Sequence, residues 1–267
     1  MKKTIYLDTE FSEGFYKPIS WLPGWLPFNK PRWNIELISI GLVDNSGKEY
    51  YAINKNFRRN RCNDWVKKKV LTKLPSRYLM EEINYYPRDI NGDMDGSMWP
   101  SDVVLNPVYK SLETIKHDIK EFCIPYNEVS DYAGLDGLDY GYDRWIADNE
   151  LVFKAYFADY DWVLFCTIFG TMMDLPKGFP MYCVDLKQEM DRKIDHLWWI
   201  INQVNGDNKL IYGPQNSTYY INKAVASKEE MVKTLKSNSD YPTQFDEHNA
   251  LDDAKWNKEL DAYIFKL

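Results

Sequence analysis

Apolar positions near the start of the chain fall in short runs alternating with polar ones, the pattern of strands half-buried in a sheet. Residues 3–10 (KTIYLDTE) read as such a strand, and because side chains repeat every second residue, Asp8 and Glu10 share a face. IELISIGLVD (35–44) is a nearly continuous apolar run, residues 44–47 carry turn chemistry, and KEYYAI (48–53) returns as a hairpin partner. Later, LVFKAYFA (151–158) forms a strand feeding a helix at about 159–173, and MYCVDL (181–186) a further strand. Helical spacing marks 63–74, then 111–123, where Ser111 and an acid-rich opening precede Ile115, Ile119 and Phe122 on one stripe. Residues 187–203, 227–237 and about 249–265 are also predicted helical, with a short strand (YYI) between the first two. Four prolines (Pro18, Pro23, Pro27, Pro31) among Trp21, Trp25 and Trp33 oppose regular structure over 12–33, while 86–107 and 130–145 read as loops. The expected fold is α/β: a mixed sheet of about five strands flanked by helices, with inserted loops. It forms one domain over 1–267 with insertions at about 12–33, 76–145 and 190–247.

Helical phase separates acids that look alike in the sequence. On a 3.6-residue period Asp161 shares its face with Leu164, Phe165, Ile168 and Met172, whereas Asp159 points nearly opposite. In the last helix Asp253 lies with Trp256, Leu260 and Ile264, and Asp252 sits about 100° away. An inward carboxylate needs a partner or a metal. Two acids on a strand and two on inward helix faces can converge on one site, where divalent cations would relieve their repulsion. Such a set can hold two Mg²⁺ or Mn²⁺ ions for phosphodiester cleavage, with His248, at a helix start, placed as general base. Each acid taken singly is as readily a cap or a salt-bridge partner.

A formal charge of −7 argues against bulk affinity for a nucleic-acid backbone, so such binding must use local basic patches or bound cations. Aromatic content is high, 16% with 10 Trp and 20 Tyr, and aromatics can fill a core or stack on bases. The opening MKKTIYLD lacks the apolar stretch of a signal peptide, and no segment is long enough to span a membrane. Cys62, Cys123, Cys166 and Cys183 are scattered without a CxxC pair and are expected in the core of a cytoplasmic protein. Residues 91–102 partly match a calcium loop, although Pro100 opposes it and a solvated acidic loop is favoured. His117 and His196 lack ligand-like neighbours, and Asp185 is a helix cap before it is a substrate contact. In the 12–33 segment, tryptophans beside Lys30 and Arg32 suit base stacking, but a docked flap or dimer contact is favoured.

The segments IYLDTEF, YFADYDWVLFC and HNALDDAKW resemble the three exonuclease motifs of the DEDDh superfamily, which includes RNase T, oligoribonuclease and proofreading domains. With IELISIGLVDNSGKEYYAI and NDWVKKKVLTKLP they are similar over about half the chain to a small bacterial and phage family of 3′-to-5′ exoribonucleases. The resemblance implies a ribonuclease-H-like fold and a hydrolase releasing 5′-mononucleotides from single-stranded 3′ ends, RNA ahead of DNA. It implies that Asp8, Glu10, Asp161 and Asp253 hold two metals, that His248 deprotonates the attacking water, and that Thr9 and Phe11 contact the terminal nucleotide. A DNA exonuclease, a nuclease for short or cyclic oligonucleotides, and a catalytically silent binding module remain alternatives, and a homodimer stays open. The segments 12–33, 76–145 and 190–247 depart from the family and bear on substrate choice.

Overall fold

Six strands form one mixed sheet in the order β6-β3-β2-β1-β7-β8. The computed structural model describes residues 2–17, 21–80, 103–124, 145–204 and 228–267. The strands are β1 (Lys2–Tyr16), β2 (Arg32–Asp44), β3 (Glu49–Asn54), β6 (Tyr109–Lys110), β7 (Glu150–Ala155) and β8 (Val184–Asp185), with β4 (Tyr78–Met80) and β5 (Val103–Leu105) forming a separate antiparallel pair. β1, β2 and β3 run antiparallel in succession, whereas β7 joins β1, β8 joins β7 and β6 joins β3 in parallel. This α/β arrangement, helices flanking a mixed sheet, is consistent with the ribonuclease-H-like order expected from the sequence.

The β2–β3 turn is fixed by Asp44, whose Oδ1 accepts hydrogen bonds from the Ser46 amide and hydroxyl and the Lys48 amide. Helix α1 (Asp64–Lys69) is capped by Asn63, and α2 (Leu112–Cys123) by Ser111. One sheet face buries Ile5, Leu7, Ile40 and Leu42 against Ile115 and Ile119 of α2 and Leu164 and Phe165 of α3 (Ala158–Phe169). Helix α4 (Leu186–Val204) and a helix over 228–236 (α5) pack with α6 (Ala250–Lys266) around Leu186, Met190, Trp256 and Leu260. Among the described residues no helix is long and apolar enough to cross a membrane.

Several expectations are corrected. The 12–33 segment is not irregular throughout: the β1–β2 ladder continues to Tyr16 opposite Arg32, so cross-strand pairing carries regular structure up to the proline-rich tip. Trp21 and Trp25 are 82% and 77% exposed, not docked as a flap, and Phe15 meets Trp33 edge-to-face with ring centroids 5.4 Å apart. Residues 103–105, placed in a loop by the sequence, form β5. Met172 lies beyond the end of α3 and is exposed, so the helix stripe stops at Ile168. Helix 63–74 is shorter than its pattern, and 181–186 is strand only at Val184–Asp185 because Asp185 turns to cap α4, accepting from the Lys187 amide at 2.7 Å. Cys62, Cys123 and Cys166 are buried and Cys183 half-buried, all as free thiols. The calcium-like segment 91–102, the YYI segment and the loop over 130–144 lie outside the described residues.

Candidate active site

A bulge positions the front of the site. Between Glu10 and Phe11 the β1–β2 register slips, Glu10 pairing with Ser39 and Phe11 with Leu37, so Ile38 is the extra residue. Ile38 turns into a small cluster with Cys62, Val66, Val70 and Leu71, which anchors α1 beside the carboxylate end of β1.

The parallel partner of β1 also stops short. β7 pairs with β1 only as far as Tyr6, leaving the next backbone groups of β1 in need of partners. Side chains from two helices supply them. Asp161 Oδ1 on α3 accepts from the Thr9 amide at 2.9 Å and the Thr9 hydroxyl at 2.6 Å, and Asn257 Nδ2 on α6 donates to Leu7 O at 2.9 Å. Two distant carboxylate-bearing helices are thereby tied to the first strand.

Gly41 sets the depth of α6. It lies opposite Asp8 on β2, and a Cβ there would fall on the backbone of Ala250 and Leu251. Only glycine lets the start of α6 approach so closely. That approach brings Asp253 to the Asp8–Glu10 face. Asp253 is held by the side chain of Gln244 on one oxygen and by the His248 amide, at 2.8 Å, on the other.

The structure thus gathers Asp8, Thr9, Glu10, Phe11, Asp161, His248 and Asp253 around one cavity of about 370 Å³. Atoms of Glu10, His248 and Asp253 able to ligate a metal lie within 4.8 Å of one another. Asp159, on the opposite side of α3, is exposed as its helical phase implied. The cavity is completed by residues not singled out in the sequence, among them Glu13, Asn63, Trp65, Tyr156 and Tyr160. Trp65 meets the His248 ring edge-to-face at 4.8 Å, and Phe11 packs on Tyr160 at 5.4 Å. Tyr160 was findable, being the residue before Asp161 at a helix mouth; Gln244 and Asn63 carry no periodic signal. Of the described non-glycine residues, Phe157 (φ 56°) and His248 (φ 70°) have positive φ, and both line this cavity. Such conformations are strained and persist where the surroundings impose them.

Burial and mutual repulsion dominate the electrostatics. Asp8 is half-buried and lines the cavity; burial, then the charges of Asp161, Asp253 and Glu10, hold its carboxyl well above the usual range. Burial, with Asp253 and Asp161, pushes Glu10 up to about 8. Asp161 is raised to about 7 by burial, although the Thr9 hydrogen bonds pull the other way. Burial raises Asp253 too, opposed by Gln244 and His248. The hydrogen-bond donors to Asp161 and Asp253 are neutral, and Lys73, the cation whose charge reaches Glu10, is paired with Asp246 at 2.6 Å. Carboxylates so crowded and so thinly neutralised suit hard divalent cations, which oxygen ligands favour.

The chain matches no protein-family model. It is similar to two Mycobacterium tuberculosis proteins, from strains CDC 1551 and H37Rv, each named a 3′-5′ exoribonuclease. Identity is 29% over 154 residues, 58% of this chain and 64% of each relative, so the match spans less than two thirds of the relatives' length.

Proposed function

We propose that this protein is a metal-dependent 3′-to-5′ exonuclease of DEDDh type acting on single-stranded RNA, a polarity and a substrate that its similarity to proteins named 3′-5′ exoribonucleases supports. The observation that carries the reading is the clustering of four carboxylates from β1, α3 and α6 at one cavity with a histidine at its rim. Asp8, Glu10, Asp161 and Asp253 would hold two divalent cations. When bound, these ions supply Lewis-acid stabilisation of phosphoryl charge and lower the pKa of water. His248 accepts the proton of the attacking water at its imidazole. Its ring is steadied against Trp65, and its amide holds the neighbouring Asp253. Thr9 orients Asp161 through two hydrogen bonds to one oxygen, and Phe11 with Tyr160 offers an apolar face to the terminal base.

The test is incubation of the purified protein with end-labelled RNA and DNA oligomers in Mg²⁺, Mn²⁺ or EDTA. The expected result is a ladder shortening from the 3′ end, faster on RNA and absent in EDTA. Internal cleavage, shortening from the 5′ end, or turnover in EDTA would each overturn the assignment.

A further inference from the structure

The chain's charge is unevenly distributed. Between Arg58 and Lys73 stand seven basic residues against the single acid Asp64, in a protein whose formal net charge is −7. This stretch comprises a short turn (Arg59–Arg61) and α1, and it abuts the cavity, because Asn63, Trp65 and Val66 line that cavity's wall. On the same stretch Arg59, Asn60, Lys67, Leu71 and Thr72 line a second, open hollow of about 580 Å³.

Most of these cations are not consumed by internal pairing. Lys73 is bound to Asp246, Lys67 lies 3.3 Å from the exposed Asp64, and the Arg61 guanidinium sits 5.1 Å from the Tyr16 ring centroid. Arg58, Arg59, Lys68 and Lys69 are exposed and have no ion pair among the described residues. Like charges crowded on a surface repel one another, and nothing in the packing of α1 requires them, since it is held by Val66, Val70 and Leu71 beneath.

We infer that the exposed basic face from Arg58 to Lys69 is a track for the sugar–phosphate backbone of a single strand whose 3′ end lies in the acidic cavity. The inference rests on the exonuclease reading and adds to it where the body of the substrate runs. Two facts single out this occupant: the strip opposes the sign of the molecule as a whole, and it is continuous through α1 with the cavity. Trp65, 54% exposed at the wall of the acidic cavity, offers a stacking face where the strand leaves it. In a protein of net negative charge such a track recruits polyanions locally while the remaining surface repels them.

The test uses the full chain carrying Arg59→Gln, Lys67→Gln and Lys68→Gln together, three exposed positions, with a melting curve to verify the fold. Binding of an oligoadenylate about twenty nucleotides long is measured in Ca²⁺ at several salt concentrations, and hydrolysis of a diadenylate in Mg²⁺. The expected result is an affinity loss of roughly tenfold or more for the long strand, and a salt slope shallower by about 2, at about 0.7 per lost phosphate contact. Diadenylate hydrolysis should stay at the wild-type rate, since so short a substrate does not reach the far side of α1. An unchanged affinity and slope would overturn the track, as would equal losses on both substrates. A lowered solution mass with affinity intact would assign the strip to a second copy of the chain and overturn it too. Because binding is read apart from turnover, an inactive wild-type protein that still showed the slope change would remove the exonuclease reading and keep the track.

Discussion

Asp161 receives both Thr9 donors on Oδ1, which leaves Oδ2 unclaimed by Thr9. Asp159, two residues earlier, has the same chemistry and none of these neighbours. The pair makes a controlled comparison. Asp8→Ala and Asp253→Ala should abolish metal-dependent cleavage with little loss of fold, because each removes one oxygen ligand from a site of like charges. Asp159→Ala should keep wild-type activity. Turnover measured on a labelled oligomer checks these, and an active Asp161→Ala beside a dead Asp159→Ala would reverse the assignment of the two acids. The choice between these acids was legible in the sequence because a helix imposes a fixed angular period on every side chain. The Thr9–Asp161 link was not, since it depends on where a different strand, β7, ends.

The helices and central strands were readable for the same reason, whereas the arm beyond Phe11 was not. Its ladder is stabilised by a partner some twenty residues away, across prolines that local propensity reads as irregular. The arm presents Trp21 and Trp25 to solvent. Replacing either by Ala should leave the melting temperature nearly unchanged, as for most surface positions. If they stack on substrate, oligonucleotide affinity in Ca²⁺ should fall by about 1–3 kcal/mol per lost base contact. Affinity that holds while solution mass drops would make the arm a dimer contact. Gly41 poses the opposite case, a buried position where one methyl group meets backbone. Gly41→Ala should cost about 1–3 kcal/mol or more and shift Asp253 away from Asp8. A thermal melt with a cation titration checks this, and unaltered cation affinity in a folded Gly41→Ala would show that α6 tolerates displacement.

Across the whole molecule the acid cluster makes stability depend on pH and on cations together. In the folded state Glu10 and Asp161 hold their protons to about 8 and about 7, whereas in the unfolded chain carboxyls release them near 4. The folded state therefore binds more protons over that window. The stabilisation is fully present below about pH 4 and lost as pH rises through 7 to 8. Without divalent cations the melting temperature should fall from pH 5.5 to pH 8.5. Mg²⁺ or Mn²⁺ should restore it, more strongly at the higher pH, because cations bind only the ionised cluster. Calorimetry in EDTA and in Mg²⁺ at both values checks this, and equal cation effects at the two pH values would argue against a cluster that shares cations. The cluster also joins segments far apart along the chain. Asn257 bonds to Leu7 across 250 positions, and Tyr6 to Asp261 across 255. During synthesis β1 is therefore complete long before α6 exists, and a nascent chain carries Asp8 and Glu10 without the helix-borne carboxylates of their cluster. On the exonuclease reading, a chain built in this order is inert while it remains close to the message and ribosome that make it, and its chemistry waits until α6 docks.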